Sequence, residues 1–186
     1  MPKIVDHDAR RADIFKSSFE LFAARGYASL TMRELAQALS VSTGTLYHYF
    51  DNKRALFQQM FDWIASQDAQ AARVEVPAEV PREQRRALLK AFLIGRAEHL
   101  TKVLKLAVDF QRHHTPQEAQ EAFGGLLRTY LDAIAGQMSV EGREQAQVVL
   151  SLIIGVLMHH SFDPERVPLD AQLQRVIQVC AAGGLL

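Results

Sequence analysis

Apolar residues recur at helical spacing along almost the whole chain, and this pattern predicts an all-helical protein. The first amphipathic stretch runs from about Asp8 to Arg25, and Gly26 follows it as a C-terminal cap. Turn residues and prolines interrupt the pattern repeatedly. We therefore expect about nine helices and an all-α fold.

Two short helices are predicted after Gly26. Thr31 and Glu34 have the spacing of a capping box, so a helix should begin at Met32. Four apolar residues then follow at i, i+3, i+4 and i+7: Met32, Leu35, Ala36 and Leu39. The stretch 40–42 breaks this period, which indicates a tight turn.

The second short helix presents an unusual outer face. Ser42 is a good N-cap, and Leu46 and Phe50, four residues apart, anchor the helix inward. The positions left outside are polar or aromatic: Thr43, Gly44, Thr45, Tyr47 and His48. Such a face is typical of a helix that enters a major groove, where side chains meet base edges and phosphates. The segment therefore predicts a DNA-binding helix-turn-helix.

Longer helices make up the rest of the chain. We expect a fourth helix from Asn52 to about Ala72 and then a linker at 74–81, where two prolines forbid continuous helix. Helix should resume at Arg82, bend near 98–102 and end near 113–114. The sequence Thr115-Pro-Gln-Glu118 predicts a new helix start.

The last two predicted helices indicate self-association. The stretch 146–159 is apolar almost all round, and a second apolar stripe lies on 168–182. A helix without a polar face must be covered on both sides. We expect a homodimer through these two helices, although a wholly intramolecular core is the alternative.

Composition is that of an ordinary globular protein, with 48% hydrophobic and 23% charged residues. The net charge of zero conceals a mild asymmetry, because residues 1–56 carry eight basic and six acidic side chains and the remainder carries 13 and 15. No apolar run approaches the ~20 residues of a membrane span. A single cysteine, Cys180, and the absence of a signal-peptide core favour the cytoplasm and no membrane partner.

Residues 11–57 closely resemble the N-terminal domain of the TetR family of transcriptional regulators. The resemblance is carried by Gly-Tyr before the capping threonine, by the run Gly44-Thr-Leu-Tyr-His-Tyr-Phe50, and by Lys53 three residues later. It implies a three-helix DNA-binding domain at 1–56 and a helical effector-binding and dimerisation domain at 57–186.

The same resemblance implies the DNA contacts. Thr31 and Arg33 would hold phosphates at the start of the second helix, and Tyr49 and Lys53 would bind phosphate on the flanking strand. The groove-facing set would be Ser42, Thr43, Gly44, Thr45, Tyr47 and His48. Core packing is the alternative for the two tyrosines, but Leu46 and Phe50 already fill the inward face.

The resemblance also implies an effector pocket after Arg82. A weak candidate set of ligand contacts is Phe92, His99, Phe110, Phe123, Tyr130 and Met158, each of which taken singly suits plain core packing. No metal or cofactor is expected, because the paired histidines lack the i, i+4 spacing of ligands on one helix face. No catalytic constellation distinguishes an enzyme.

These observations predict a ligand-responsive transcriptional regulator, in the first place a homodimeric repressor that a small, largely apolar effector releases from a palindromic DNA operator. The alternative is a helical protein-interaction module without sequence-specific DNA binding. DNA affinity that falls steeply with salt separates the two.

Overall fold

The structure, a computed structural model, describes residues 7–77, 79–138 and 143–184. Nine α-helices and no β-strand lie within these ranges, which confirms the predicted all-helical class. The helices are α1 His7–Arg25, α2 Met32–Ala38, α3 Thr43–Tyr49, α4 Lys53–Glu75, α5 Arg82–Gly95, α6 Ala97–Arg112, α7 Pro116–Met138, α8 Arg143–Phe162 and α9 Leu169–Ala182.

Local capping sets the starts of several helices where the sequence predicts them. At α2, the Glu34 amide donates to the Thr31 hydroxyl at 3.2 Å, and the Thr31 amide donates to the Glu34 carboxylate at 2.8 Å. At α3, the Thr45 amide donates to the Ser42 hydroxyl at 2.9 Å. Each bond satisfies a backbone donor that the helix itself cannot pair.

The predicted bend at 98–102 is wrong in position. The chain leaves helical geometry at Arg96, which has φ −111° and ψ 6° and separates α5 from α6. Gly95 ends α5, and glycine has low helix propensity, so the break falls immediately after it. The fourth helix also continues to Glu75, three residues beyond the expected end.

Close packing explains one helical glycine in α7. A Cβ at Gly125 would collide with the Asp62 carboxylate, which comes against the glycine backbone.

One compact unit comprises Met1–Ile64 and Lys105–Gly125, described from His7 onward. It holds α1 to α3, the first half of α4, and the corner where α6 meets α7. Its core is largely aromatic: Phe15, Phe19, Phe22, Tyr27, Phe50, Phe57, Phe61, Phe110 and Phe123. Phe57 stacks on Phe110 with ring centroids 4.7 Å apart. The helix-turn-helix thus shares a core with a segment far from it in sequence.

The other unit comprises Ala65–Leu104 and Leu126–Leu186. Its buried apolar core draws on the residue that follows α4 and on α5, α7, α8 and α9: Val76, Phe92, Leu93, Leu131, Ala146, Val149, Ile153, Leu157, Leu173, Ile177 and Cys180. The functional boundary expected at residue 56 stays a prediction, because packing and function divide a chain by different criteria.

Helix α8 corrects one expectation from the sequence. By length and composition alone, Arg143–Phe162 is apolar enough to cross a membrane, because its few polar residues are spread among many apolar ones. Only 22% of this stretch is buried inside the structure. Leu150, Leu152 and Val156 are partly buried against the core, whereas Val148 and Phe162 are exposed.

Candidate nucleic-acid interface

Helix α3 is held from beneath by two apolar anchors. Leu46 is fully buried and Phe50 is 1% exposed, as the sequence predicts. Tyr47, in contrast, is 51% exposed, and His48 is exposed beside it. The outer face of α3 is therefore open to a partner and carries hydrogen-bonding groups.

The N-terminal turn of α3 brings four predicted contact residues together. The Ser42 and Thr45 hydroxyls lie 2.7 Å apart and hydrogen-bond to each other, so each positions the other. Thr43 is half-buried and Gly44 is exposed. A Cβ placed at Gly44 would meet nothing closer than the Ser42 hydroxyl at 3.7 Å, which is ordinary contact. Packing within the chain therefore does not require glycine at this position.

At the start of α2, Thr31 and Arg33 are both exposed. The Thr31 hydroxyl is engaged with the Glu34 carboxylate at 2.8 Å. Hydrogen bonds from Thr31 lower the pKa of Glu34, and the guanidinium of Arg25, at 3.3 Å, adds to the effect. The carboxylate is thus ionised near two predicted phosphate contacts, and Arg25 offsets part of its negative charge.

Lys53 occupies a more enclosed place than a surface phosphate contact would need. Its ammonium donates to the carbonyl oxygens of Tyr27 and Leu30 at 2.9 and 2.7 Å, and it lies 4.1 Å from the centre of the Tyr27 ring. Burial lowers the pKa of Lys53. The residue therefore fixes the loop before α2, whatever it contributes to DNA binding.

Tyr49 lies at the end of α3 in a small group of rings. Its hydroxyl is 3.1 Å from Nδ1 of His7, the first residue of α1. The His48 and Tyr49 ring centroids are 5.4 Å apart, and Phe50 is 6.2 Å from Tyr49 on another side. Reasoning from sequence missed His7, because no periodic signal connects residues 42 positions apart.

The corner between α6 and α7 contacts the loop before α2 and the start of α4. The Asp109 carboxylate accepts a hydrogen bond from the Tyr27 amide at 2.9 Å, and the absence of a side chain at Gly26 leaves room for it. Arg54 pairs with Glu118 and Glu121 at 3.0 and 2.5 Å. These contacts neutralise Arg54 and tie the ends of the helix-turn-helix to residues more than 60 positions away.

The six candidate effector contacts fall into two different units. Phe110 and Phe123 belong to the aromatic core of the first, with ring centroids 5.4 Å apart. The second unit contains the other four: Phe92, His99, Tyr130 and Met158. Phe92 is part of its apolar core. Ligand binding by any of the six stays a prediction.

His99 and Tyr130 meet at a buried carboxylate. Asp68 is 5% exposed; its Oδ2 accepts from the Tyr130 hydroxyl at 2.7 Å and lies 3.1 Å from His99 Nε2. Arg96 approaches the other carboxylate oxygen at 3.8 Å. Burial, followed by the charge of Asp68, raises the pKa of Tyr130 well above its usual value. The cluster joins α4, α6 and α7 with the residue that separates α5 from α6.

A groove of about 380 Å³ lies elsewhere in this unit, between α5 and α9. Its lining includes Arg86, Lys90, Gln174 and Gln178, and none of the six candidate residues. Across the described ranges, no group of three or more histidine, cysteine, aspartate or glutamate residues is placed to hold a metal ion. Cys180 is fully buried, and burial raises its pKa, as suits a packed thiol.

Comparison with known proteins bears on the same N-terminal segment. Residues 14–60 match the model of the family described as bacterial regulatory proteins, tetR family. Over 59 residues the chain is 44% identical to the HTH-type transcriptional repressor Rv1474c of Mycobacterium tuberculosis, covering 31% of this chain and 32% of that protein. The match thus spans about a third of the length of that relative.

Two further comparisons extend over most of the chain. The HTH-type transcriptional regulator PksA of Bacillus subtilis is 23% identical, with 95% of this chain and 90% of that protein covered. The crystal structure of FadR from Bacillus subtilis in complex with stearoyl-CoA has a TM-score of 0.72 at 19% identity, with 90% of this chain and 95% of that one covered. At this identity the structural match shows a shared fold. The chain thus carries a segment that matches the tetR family of bacterial regulatory proteins, and it shares the fold of the solved regulator FadR.

Proposed function

We propose that the protein is a ligand-responsive, DNA-binding transcriptional regulator that acts as a homodimer. In its simplest form it is a repressor that a small, largely apolar effector releases from a palindromic operator. One observation carries the DNA-binding half: the exposed polar and aromatic face of α3 rests on the buried anchors Leu46 and Phe50, within the segment that matches the family. Two such helices in a dimer would enter successive major grooves.

Gly44 offers a test that separates DNA binding from folding. The chain itself has room for a methyl group there, and alanine favours helix over glycine by up to ~1 kcal/mol. Gly44→Ala should therefore leave the free energy of unfolding unchanged or slightly higher. If DNA backbone approaches α3 at this residue, the same change should lower operator affinity at least about tenfold, or roughly 1.4 kcal/mol.

The DNA half is tested by selecting bound duplexes from a random library and measuring affinity by fluorescence anisotropy. Tyr47→Ala and Thr45→Ala should change which sequences are preferred, since the proposal places both residues in the groove. A library from which no sequence is enriched would overturn the proposal. Affinity indifferent to salt would do the same and would favour the protein-interaction module.

Exposed apolar residues on the last two helices support the dimer. Val148 on α8 is 46% exposed and Val179 on α9 is 66% exposed, and most of the apolar stretch of α8 is not buried. Val179→Asp should therefore shift the protein to monomer in sedimentation velocity and weaken operator binding. Val74 on α4 is 73% exposed, so Val74→Asp is the matched control and should leave the dimer intact. Equal effects of the two changes would contradict this interface.

The proposed control by an effector depends on the unit that comprises Ala65–Leu104 and Leu126–Leu186. FadR of Bacillus subtilis was solved with stearoyl-CoA, a ligand with a long apolar chain, and this supports a largely apolar effector here. Asp68, His99 and Tyr130 form a polar cluster that would meet a polar group of such a ligand. We propose that the effector favours a state with α4 displaced. A hundredfold loss of operator affinity needs only ~2.8 kcal/mol of differential ligand affinity between the two states.

Titration with acyl-CoA thioesters of several chain lengths tests effector control directly. Operator dissociation is followed by anisotropy, and the fluorescence of Trp63, the single tryptophan, reports on α4. Tyr130→Phe removes one hydroxyl of the cluster and should change the effector concentration needed, without changing operator affinity in its absence. If no compound in a wider apolar library releases DNA, effector control is contradicted.

A further inference from the structure

We propose that His7 is a positioning residue for DNA binding, which acts by donating a hydrogen bond to the Tyr49 hydroxyl. The inference rests on the proposed function, because it takes Tyr49 as a contact to a DNA phosphate. His7 lies outside the segment 14–60 that matches the family. The family match therefore assigns it no role.

The contact joins the beginning of α1 to the end of α3. His7 Nδ1 lies 3.1 Å from the Tyr49 hydroxyl oxygen, and the centres of the two rings are 6.0 Å apart. His48 completes the group, with its ring 6.4 Å from that of His7 and 5.4 Å from that of Tyr49. His7 and His48 are exposed and Tyr49 is half-buried. The phenol thus lies among rings and is partly exposed at the surface.

Hydrogen-bond chemistry fixes the direction of the bond when DNA is present. The oxygens of a DNA phosphodiester only accept hydrogen bonds, so the Tyr49 hydroxyl must donate its proton to the phosphate. The phenol oxygen can then accept from His7 only if Nδ1 carries a proton. A bond accepted by the phenol oxygen polarises its O–H group and strengthens the bond that it donates. No proton is transferred, because His7 only orients and polarises the Tyr49 hydroxyl.

The arrangement also removes a rotational choice. A free phenol hydroxyl can point to either side of its ring, whereas a donor at 3.1 Å leaves the O–H group to point away from His7. Ordering before binding reduces the entropy lost in the complex. Loss of His7 should therefore weaken affinity for every sequence, because a phosphate contact does not read bases.

The test is a double-mutant cycle on the full chain with the selected operator. His7→Ala should weaken affinity about fivefold per half-site, the effect of one hydrogen bond of roughly 1 kcal/mol. In the Tyr49→Phe background, where the hydroxyl is absent, the same change should have no further effect. His7→Asn places a side-chain N–H near the position of Nδ1–H and should restore affinity to within about twofold. Circular dichroism and thermal unfolding of each variant check that the fold is intact.

The alternative is that His7 itself binds phosphate. Then His7→Ala would weaken binding equally in both backgrounds and would lower the slope of log affinity against log salt. Either result would overturn the inference, as would wild-type affinity in His7→Ala. If the effects of His7→Ala and Tyr49→Phe on affinity are additive and the wild-type protein still selects its operator, only this inference is contradicted. If the wild-type chain selects no sequence, the proposed function is contradicted as well.

Discussion

At the beginning of α4, the Lys53 ammonium donates to the carbonyl oxygens of Tyr27 and Leu30, and we propose that it also binds a DNA phosphate. Arg33 is exposed at the start of α2 and suits phosphate binding without a structural duty of this kind. Lys53 therefore links the folding of the α1–α2 loop to the surface proposed to meet DNA. Its replacement should affect both.

Replacing each cation by methionine separates the two roles. Lys53→Met and Arg33→Met should each lower the salt slope of DNA binding by about one per subunit contact. Only Lys53→Met should also lower the free energy of unfolding, by about 1–2 kcal/mol, because two backbone carbonyls lose a charged donor at a partly exposed site. Anisotropy at several salt concentrations and urea unfolding measure the two effects. Equal stability of the two variants would contradict the structural role of Lys53.

The Glu34 carboxylate gives the fold a dependence on acid. Hydrogen bonds from Thr31 lower its pKa in the folded state below the usual value of 4.5. Its stabilising contribution is therefore present above that pH and is lost as pH falls through the lower, folded-state pKa. Glu34→Gln keeps an acceptor oxygen but cannot titrate. The Tm of the wild type should therefore be higher than that of the variant at pH 6, and this difference should be smaller at pH 3.

Glu118 provides an internal check on this prediction. It caps α7 through Thr115 as Glu34 caps α2, and its pKa is lowered for the same reason. Glu118→Gln should show the same convergence toward wild type in acid. A Tm difference that does not vary with pH in either variant would argue against ionised caps.

Single residues also show what local sequence can reveal. Thr31 and Ser42 cap helices and Leu46 and Phe50 anchor α3, as predicted, because caps and anchors depend on neighbours three or four positions away. The contact of His7 with Tyr49 was not predicted. Residues far apart in sequence meet only through tertiary packing, and the periodic pattern of a single sequence does not reveal such contacts.

At the scale of elements, the connections between helices depend on unusual backbone geometry. Gly26 ends α1 with φ +79°, and Ser40 between α2 and α3 has φ 56°, a conformation that side chains disfavour. A methyl group at Gly26 would also lie 3.2 Å from the Asp109 carboxylate. Substitutions at these two positions should therefore change the free energy of unfolding in opposite directions.

Gly26→Ala should lower the free energy of unfolding by about 1–2 kcal/mol, since strain and crowding act together. Ser40→Gly should change it by less than about 1 kcal/mol, and toward greater stability, since relief of strain is partly offset by the entropy of glycine. Urea unfolding measures both. A stable Gly26→Ala protein would contradict the close approach of Asp109 to this turn.

Helix boundaries were predictable where capping or proline marks them and less so elsewhere. The break at Arg96 was placed several residues too late, because the apolar period on both sides of it looks continuous and a single glycine is a weak signal. The effector set mixed residues of two units for a related reason. Period identifies buried positions but does not say which helices bury them.

At the scale of the whole molecule, α4, α6 and α7 each contribute residues to both compact units. A boundary drawn from motifs at residue 56 does not reveal this, because α6 and α7 enter the aromatic core through Phe110 and Phe123. The helix-turn-helix should therefore not fold fully when cut from the rest. The proposed dimer and the proposed operator binding likewise depend on exposed surfaces of the single chain.

The most direct test of the account measures stoichiometry and preference together. The full chain is bound to the inverted repeat recovered by selection and to a scrambled duplex of equal length, at a fixed salt concentration near 0.15 M. Sedimentation velocity gives the number of chains per duplex, and anisotropy gives the affinities. The account predicts a dimer on each repeat and a preference of at least about a thousandfold over the scrambled duplex. A monomer bound equally well to both duplexes would contradict it.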